Sequence, residues 1–168
     1  MRTLSRGARA AVLACALFAC NDGLQPVPAC AAGICGRVTF QGAIPDSTQA
    51  VYVVGYHTFP HSRDSLFTFQ PQPIILLQPL PLDSSTASYA VPLPTGRYEW
   101  IVAVWVKTGF TLANADSTLK EAGYYRDPAD TTLPGLVTVF AQGGDSVNFV
   151  IDFDHMHRPC TYYNPPCP

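Results

Sequence analysis

Charged side chains are scarce in this sequence, where Asp, Glu, Lys and Arg together make up 13% of 168 residues. Much of the surface must therefore be formed by uncharged residues such as Ser, Thr, Gln, Tyr and Pro. The few basic residues form no stripe of the kind that nucleic-acid-binding proteins use to neutralise phosphates. Nucleic acid is therefore not an expected partner.

Catalytic signatures are also missing. The sequence has no Gly-x-Ser-x-Gly turn for a serine nucleophile, no glycine-rich phosphate loop and no dinucleotide-binding fingerprint. Ser, His and Asp occur, but no spacing marks them as a catalytic set. The sequence thus predicts a protein that is not an enzyme and that needs no cofactor.

No apolar run near the N-terminus is long enough to cross a bilayer, which takes about 20 residues in a helix. Residues 10–19 are apolar and follow a start that has basic but no acidic residues. The run ends in Leu-Phe-Ala-Cys at residues 17–20, which resembles the cleavage motif of bacterial lipoprotein signals. Cys15 closes a competing motif, but choosing it would leave an apolar core too short for a signal.

This resemblance implies a signal peptide at residues 1–19, a lipid on Cys20 and a Pro/Ala-containing tether at residues 20–35. Plain secretion and a retained membrane anchor are the alternatives. Acyl chains would hold the protein on a bacterial membrane, at its periplasmic side or at the cell surface, without spanning it. Loss of the signal leaves seven basic against twelve acidic residues, a formal charge of −5.

Four further cysteines lie in two clusters, one near each end of the predicted domain: Cys30, Cys35, Cys160 and Cys167. In an oxidising compartment we expect them to form two disulfides. The sequence allows three pairings. Pairing across the clusters would close loops of more than a hundred residues and stabilise most, whereas local pairing would tie only the ends. A four-thiolate zinc site is the alternative, although no Cys-x-x-Cys pair is present.

From residue 36 onward, short β-type runs are separated by turn residues about every ten positions. This pattern predicts one antiparallel β-sandwich of seven or eight strands over residues 36–168, with a disulfide-stapled C-terminal tail. No helix is predicted, and residues 113–121 are expected to form a loop with one turn. The predicted strands are Arg37–Phe40, Ala50–His57, Leu66–Phe69, Ile74–Leu77, Ser88–Pro92, Arg97–Lys107, Gly135–Phe140 and Ser146–Asp154.

The run Tyr98–Val106 is apolar on both faces, which indicates a strand in mid-sheet or one whose second face meets a partner. One face is expected to carry Tyr98, Trp100, Val102, Val104 and Val106, and the other Ile101, Ala103 and Trp105. Residues 71–82 contain four prolines. Because proline cannot donate to a ladder, this segment is expected to be an edge strand or an extended surface segment.

Several motifs resemble those of transthyretin-like, or carboxypeptidase regulatory-like, β-sandwich domains. Gly36–Gly42, followed by Pro45 and Val51–Val54, is similar to the opening strands of that family. Val91–Tyr98 is similar to its strand, Pro/Gly turn and next strand, while residues 123–128 and 150–154 resemble its lipoprotein members. The resemblance covers residues 36–154 and implies a non-catalytic accessory domain with no active-site residue to transfer.

Two histidine pairs have spacings that suit chelation, His155 with His157 and His57 with His61. A metal site would require the two pairs to converge and to have supporting outer-shell groups. Otherwise these histidines belong to a polar tail and to loops. The acids of residues 116–130 offer calcium a set of oxygens, but their spacing does not match an EF-hand loop.

Four tyrosines lie in turn or tail sequence, where we expect them to be exposed: Tyr124, Tyr125, Tyr162 and Tyr163. Exposed Tyr near Pro and Arg is typical of protein-contact surfaces. With the anchor, they predict a non-enzymatic accessory module that docks on, or stabilises, a membrane or envelope protein assembly. Sugar rings stack on the same side chains, so the alternative is a small-ligand module for carbohydrate or metal.

Overall fold

The computed structural model describes residues 30–167. The predicted signal peptide (1–19), Cys20 and most of the tether lie outside the described residues. The strands are β1 (Ile34–Gln41), β2 (Thr48–Tyr56), β3 (Thr86–Val91), β4 (Gly96–Tyr98), β5 (Trp100–Lys107), β6 (Leu119–Tyr124), β7 (Val137–Val139) and β8 (Phe149–Asp152). Two short helices are α1 (Arg63–Leu66) and α2 (Ala115–Thr118), and 3₁₀ turns occupy Ile74–Leu76, Leu112–Asn114 and Pro159–Tyr162.

The eight strands form three small sheets, ordered β3-β1-β8, β2-β5-β6 and β4-β7. The β-rich fold class predicted from the sequence is confirmed. One pair departs from the expected antiparallel arrangement, because β8 runs parallel to β1, with Val38 opposite Phe149. These two strands are more than a hundred residues apart, so no tight turn imposes an antiparallel orientation on them.

One hydrophobic cluster, here called the main core, is shared by all three sheets. Val38 and Ile151 enter it from the first sheet, Val51 and Ile101 from the second, and Val137 from the third. Along the last predicted strand, Ser146–Asp154, the buried apolar positions alternate: Val147, Phe149, Ile151 and Phe153. The sheets therefore pack through the faces that their period-two patterns indicate.

The strand predicted to be apolar on both faces is β5, and both of its faces are covered. Ile101, Ala103 and Trp105 enter the main core. Trp100 and Val102 enter a second cluster on the opposite face. Tyr98 was expected on the same face as Trp100. The predicted strand is interrupted at Glu99, however, and β4 pairs with β7 in a separate sheet. Tyr98 therefore packs in the main core.

Four local predictions were wrong. No helix was expected, but α1 and α2 are short helices, and α2 lies in the predicted 113–121 loop. Residues 66–69 form the end of α1 and a loop, because Ser62 and Ser65 cap a helical turn reciprocally. Residues 74–76 form a 3₁₀ turn in place of an extended segment. The strand β6 was missed, since its buried Glu121 and its Gly123 break the alternating apolar pattern.

Both predicted disulfides form, and the pairing is local: Cys30 with Cys35 and Cys160 with Cys167. The second disulfide closes a short loop at the C-terminus and does not join the tail to the N-terminal cluster. The tail is instead held on the domain through β6, where the backbone amides and carbonyls of Glu121 and His157 exchange hydrogen bonds of 2.8 and 2.9 Å. Within residues 30–167 no helix has the length and apolar character needed to cross a membrane.

Candidate functional site

An apolar cavity of about 270 Å³ lies on the face of the second sheet that points away from the main core. Its floor is formed by alternate side chains of β2 and β5, namely Tyr52, Val54, Val102 and Val104. Two segments cover this floor, residues 62–77 and residues 108–119, and contribute Leu66, Phe69, Leu77, Phe110 and Leu119 to the lining. The second apolar face of β5 is therefore the floor of a cavity.

The first covering segment is fixed to the sheet by polar contacts. Tyr56 at the end of β2 donates its hydroxyl hydrogen to the Leu66 carbonyl oxygen over 2.7 Å. Burial raises the pKa of Tyr56 above its ordinary value. Leu66 then packs against Val106 and Leu119. The first covering segment is thus held on the sheet at the C-terminal end of α1.

The two covering segments are also tied to each other. Arg63 Nη2 donates to the carbonyl oxygen of Leu112 over 3.1 Å, and its Nε lies 3.6 Å from the carboxylate of Asp116. Within the second segment, the Thr111 backbone N–H donates to Asn114 Oδ1 over 2.7 Å. These contacts hold both walls while leaving the space between them open.

The mouth of the cavity is apolar as well. Ile74 and Leu112 line the cavity and are nevertheless 58% and 62% exposed. Ile75 next to them is 87% exposed. Apolar side chains in such positions are typical of ligand grooves and of surfaces that contact a membrane or another protein.

A few polar or partly polar residues belong to the lining of the cavity. Glu121 and Lys120 on β6 contribute to the lining, as does Trp100. The indole Nε1 of Trp100 is buried and has no hydrogen-bond partner among the described residues. A buried donor without an acceptor is unfavourable, so this indole nitrogen is a local cost to stability.

The buried Glu121 carboxylate organises the C-terminal tail. Its Oε2 accepts a hydrogen bond from the Tyr162 hydroxyl at 2.7 Å and lies 3.0 Å from His157 Nδ1. Glu121 is only 5% exposed. Desolvation, followed by the nearby Glu121 charge, raises the pKa of Tyr162 above its ordinary value. The Tyr162 ring packs edge-on against Trp100, and Pro159 of the tail belongs to the cavity lining.

A polar groove of about 480 Å³ lies on the other side of Glu121, between β6 and β8. Its polar lining includes Gln41, Glu121, Arg126, Asn148, Asp152 and His155. Asp152 and His155 approach to 2.9 Å. Their hydrogen bond raises the pKa of His155 and lowers that of Asp152. The Asp152–His155 pair is exposed, so solvent screens its charges.

The two histidine pairs make separate contacts. His57 Nδ1 lies 2.8 Å from the carbonyl oxygen of Arg97, and its ring stacks on Tyr98 at 4.2 Å. His61 lies against Phe59, with ring centroids 5.4 Å apart. Across residues 30–167 no three His, Cys, Asp or Glu side chains are arranged to hold a metal ion.

The acids proposed for calcium serve local turns. The Asp127 and Asp130 carboxylates accept backbone hydrogen bonds from residues 129 and 132. Asp116 faces Arg63. A hydrogen-bonded Thr132 hydroxyl lowers the pKa of the exposed Asp130. Each acid thus has a turn-forming or ion-pairing role of its own.

The four tyrosines predicted to be exposed are each half-buried. Tyr125 packs against the main core, and Tyr124 stacks under Arg126 at 4.5 Å. Tyr162 packs against Trp100, and the Tyr163 hydroxyl reaches Asp116 at 3.3 Å. All four therefore have intramolecular contacts, and their role in binding a protein stays a prediction.

Comparison with known proteins gives no relative: no family model, curated protein or solved structure matches this chain. The transthyretin-like resemblance stays a prediction, and the site is interpreted from its own geometry.

Sequence reasoning missed the apolar cavity. Two signals pointed to it: the second apolar face of β5 and the apolar Ile74–Leu77 run in a segment without charge. Alternation along β5 indicates that a second layer exists. It does not indicate that two loops, rather than a partner protein, form that layer and leave a space beneath them.

Proposed function

We propose that this protein is a non-enzymatic, lipid-anchored extracytoplasmic module that binds a small apolar ligand in the cavity over β2 and β5. The observation that carries the proposal is the cavity itself, which has an apolar floor, apolar walls and an apolar mouth. Apolar pockets with a few polar residues in the lining are typical of small-molecule sites. The anchor and the compartment rest on the N-terminal sequence motif.

The size of the cavity limits the ligand. An apolar cavity of about 150 Å³ takes a benzene ring, so 270 Å³ has room for an apolar group of roughly twice that size. Burying about 250 Å² of apolar ligand surface gains roughly 6 kcal/mol, which corresponds to affinity on the order of tens of micromolar. The expected ligand is therefore a compact hydrocarbon ring system or a short stretch of acyl chain.

The proposed architecture is a β-sandwich of the transthyretin-like type, with the two three-stranded sheets as its layers. The support for this reading is that both sheets contribute side chains to the one main core. The cavity would then lie on the outer face of one sheet. The side chains that form its floor would therefore not also have to pack in the main core. In such a domain the sheets serve as a scaffold, and loops carry the binding function.

A bulky substitution in the cavity floor tests the proposal. In the full chain carrying Cys20→Ser, which removes the predicted lipid site, we expect the uncharged fluorophore N-phenylnaphthylamine to bind with its naphthyl ring in the cavity and with enhanced emission. Val104→Phe should weaken this binding by about tenfold or more, because the ring occupies the ligand's space. Val150→Phe is the matched control, since Val150 is an exposed β8 residue outside the apolar cavity.

The melting temperature of each variant distinguishes loss of the cavity from loss of the fold. If Val104→Phe and Val150→Phe bind the fluorophore equally well while both remain folded, the cavity is not the binding site. If the parent chain binds no fluorophore at all, the proposed function is wrong.

Docking on a membrane or envelope protein assembly is the second candidate function. It is favoured by the exposed Leu133 and Leu136, which line one surface depression together with Tyr124. Native gel migration of the lipidated protein from its own membranes separates the two candidates. A defined large complex that Leu133→Glu disrupts would support docking, and migration as a free lipoprotein would contradict it.

A further inference from the structure

Exposed apolar side chains surround the mouth of the apolar cavity. They belong to two segments, residues 65–82 and residues 108–115, which we call the mouth loops. Ile74 and Leu112 form part of the cavity lining, and Ile75 and Leu76 belong to the same 3₁₀ turn as Ile74. Ile75 is 87% exposed, which is an unfavourable position for such a side chain in water. The apolar surface is thus continuous from the cavity to the outside.

The mouth loops carry no charged residue. Between Asp64 and Asp83 the chain has eighteen consecutive uncharged residues, and none of residues 108–115 is charged. Polar side chains there are amides and hydroxyls, such as Gln70 and Gln72. A charged side chain is costly inside the hydrocarbon of a bilayer, so uncharged loops with exposed apolar side chains suit contact with a lipid surface.

The chain outside the described residues brings a lipid surface within reach. Cys20, the predicted lipid site, precedes Cys30 by ten residues, which span at most about 36 Å when extended. A domain of this size has a radius of gyration of about 14 Å. A lipid on Cys20 would therefore keep the domain next to the bilayer, and the length of the tether exceeds the radius of the domain, so contact between the mouth loops and the bilayer is within its reach.

We propose that the ligand of the apolar cavity is an acyl chain of a membrane lipid, admitted while the mouth loops lie in the surface of the bilayer. This inference rests on the proposed function and names its ligand class. An acyl chain suits a cavity whose floor, walls and mouth are formed mainly by apolar side chains.

Photo-crosslinking in vesicles tests the inference on the full lipidated protein. The protein is reconstituted into vesicles of phosphatidylcholine, which is zwitterionic and has no net charge. Some of the lipid molecules carry a photoactivatable diazirine on one acyl chain, and crosslinked peptides are mapped by mass spectrometry. We expect crosslinks in the mouth loops and on cavity-lining β2 and β5. Ile75→Glu should lower their yield by about tenfold, because a carboxylate resists entry into the bilayer.

Two controls separate the mouth loops from other apolar surface. Leu133→Glu changes an exposed leucine outside the mouth loops and should leave the crosslink yield unchanged. Val104→Phe should remove the crosslinks on β2 and β5 while those on residues 74–76 persist.

Each contrary outcome has its own meaning. Fluorophore binding by the Cys20→Ser chain without crosslinks in the mouth loops or cavity would overturn the lipid inference and leave the proposed function standing. If the Cys20→Ser chain without any further substitution bound no fluorophore, the proposed function itself would be refuted. If Ile75→Glu left the crosslinks intact but abolished a large complex on a native gel, the mouth loops would contact protein and the inference would be wrong.

Discussion

At the scale of single residues, the buried Glu121 connects β6 to the C-terminal tail. It is a carboxylate on an edge strand, yet it is nearly fully buried and is satisfied by Tyr162 and His157. Burial of an acid is tolerated only when its oxygens are hydrogen-bonded. These contacts hold the tail against Trp100, which belongs to the lining of the apolar cavity.

Removing the Glu121 side chain tests this role. Glu121→Ala leaves the Tyr162 hydroxyl and the His157 ring without their acceptor, so the free energy of unfolding should fall by about 2 kcal/mol in urea titrations. Glu121→Gln keeps an oxygen acceptor for Tyr162 and should cost less. Asp83→Ala, at an exposed position, should stay within about 0.5 kcal/mol of the parent. Equal stability of Glu121→Ala and Asp83→Ala would show that Glu121 does not hold the tail.

At the scale of elements, the two main sheets meet where β6 lies beside β8. Gly123 on β6 permits this approach: a Cβ at this position would lie 2.2 Å from the Val150 carbonyl oxygen, and the glycine has a φ of +152°. Backbone atoms cannot move aside as a flexible side chain can. The contact fixes the second sheet, and with it the cavity floor, relative to the first.

A methyl group at Gly123 should therefore be poorly tolerated. Gly123→Ala adds both backbone strain and a clash with β8, and we expect a loss of at least about 2 kcal/mol in the free energy of unfolding. Gly109→Ala provides a matched control, because Gly109 also has positive φ but no atom lies within 4 Å of its added Cβ. Equal losses in the two variants, measured by urea unfolding, would mean that strain alone matters and that β6 and β8 do not pack closely.

At the scale of the whole molecule, the sequence joins a predicted membrane anchor to a domain with a cavity. Anchoring confines the domain to a thin layer next to the bilayer and so raises its effective concentration near lipids and membrane proteins. A cavity of modest intrinsic affinity can then be occupied without a tight-binding ligand. Two proposals belong to this scale, and substitutions at different residues test them. Cys20→Ser tests the lipid anchor, and Val104→Phe and Ile75→Glu test acyl-chain binding.

The anchor itself makes a direct prediction. In a bacterial host, labelled palmitate should be incorporated into the wild-type protein and into Cys15→Ser but not into Cys20→Ser, because Cys20 follows the favoured cleavage motif. The measurement is label on the immunoprecipitated protein after electrophoresis. Label that persists in Cys20→Ser and disappears in Cys15→Ser would move the site to Cys15. No label in any chain would indicate plain secretion or a retained anchor.

The sequence by itself determined the β-rich class, most strand positions and the two-faced character of β5. Each of these follows from local alternation of apolar residues, a property that short stretches of chain carry alone. The four cysteines could likewise be assigned to disulfides, though not to pairs, because pairing depends on which Cα atoms come within about 7 Å.

Only the tertiary structure decided what covers the second face of β5. Residues 62–77 and 108–119 are distant in sequence, and they enclose a cavity because Arg63 joins them and Tyr56 holds Leu66. The burial of Glu121 also depends on a partner 41 residues away, Tyr162. A cavity is a space between elements, so no single segment encodes it, and the candidate site could be found only once the chain was folded.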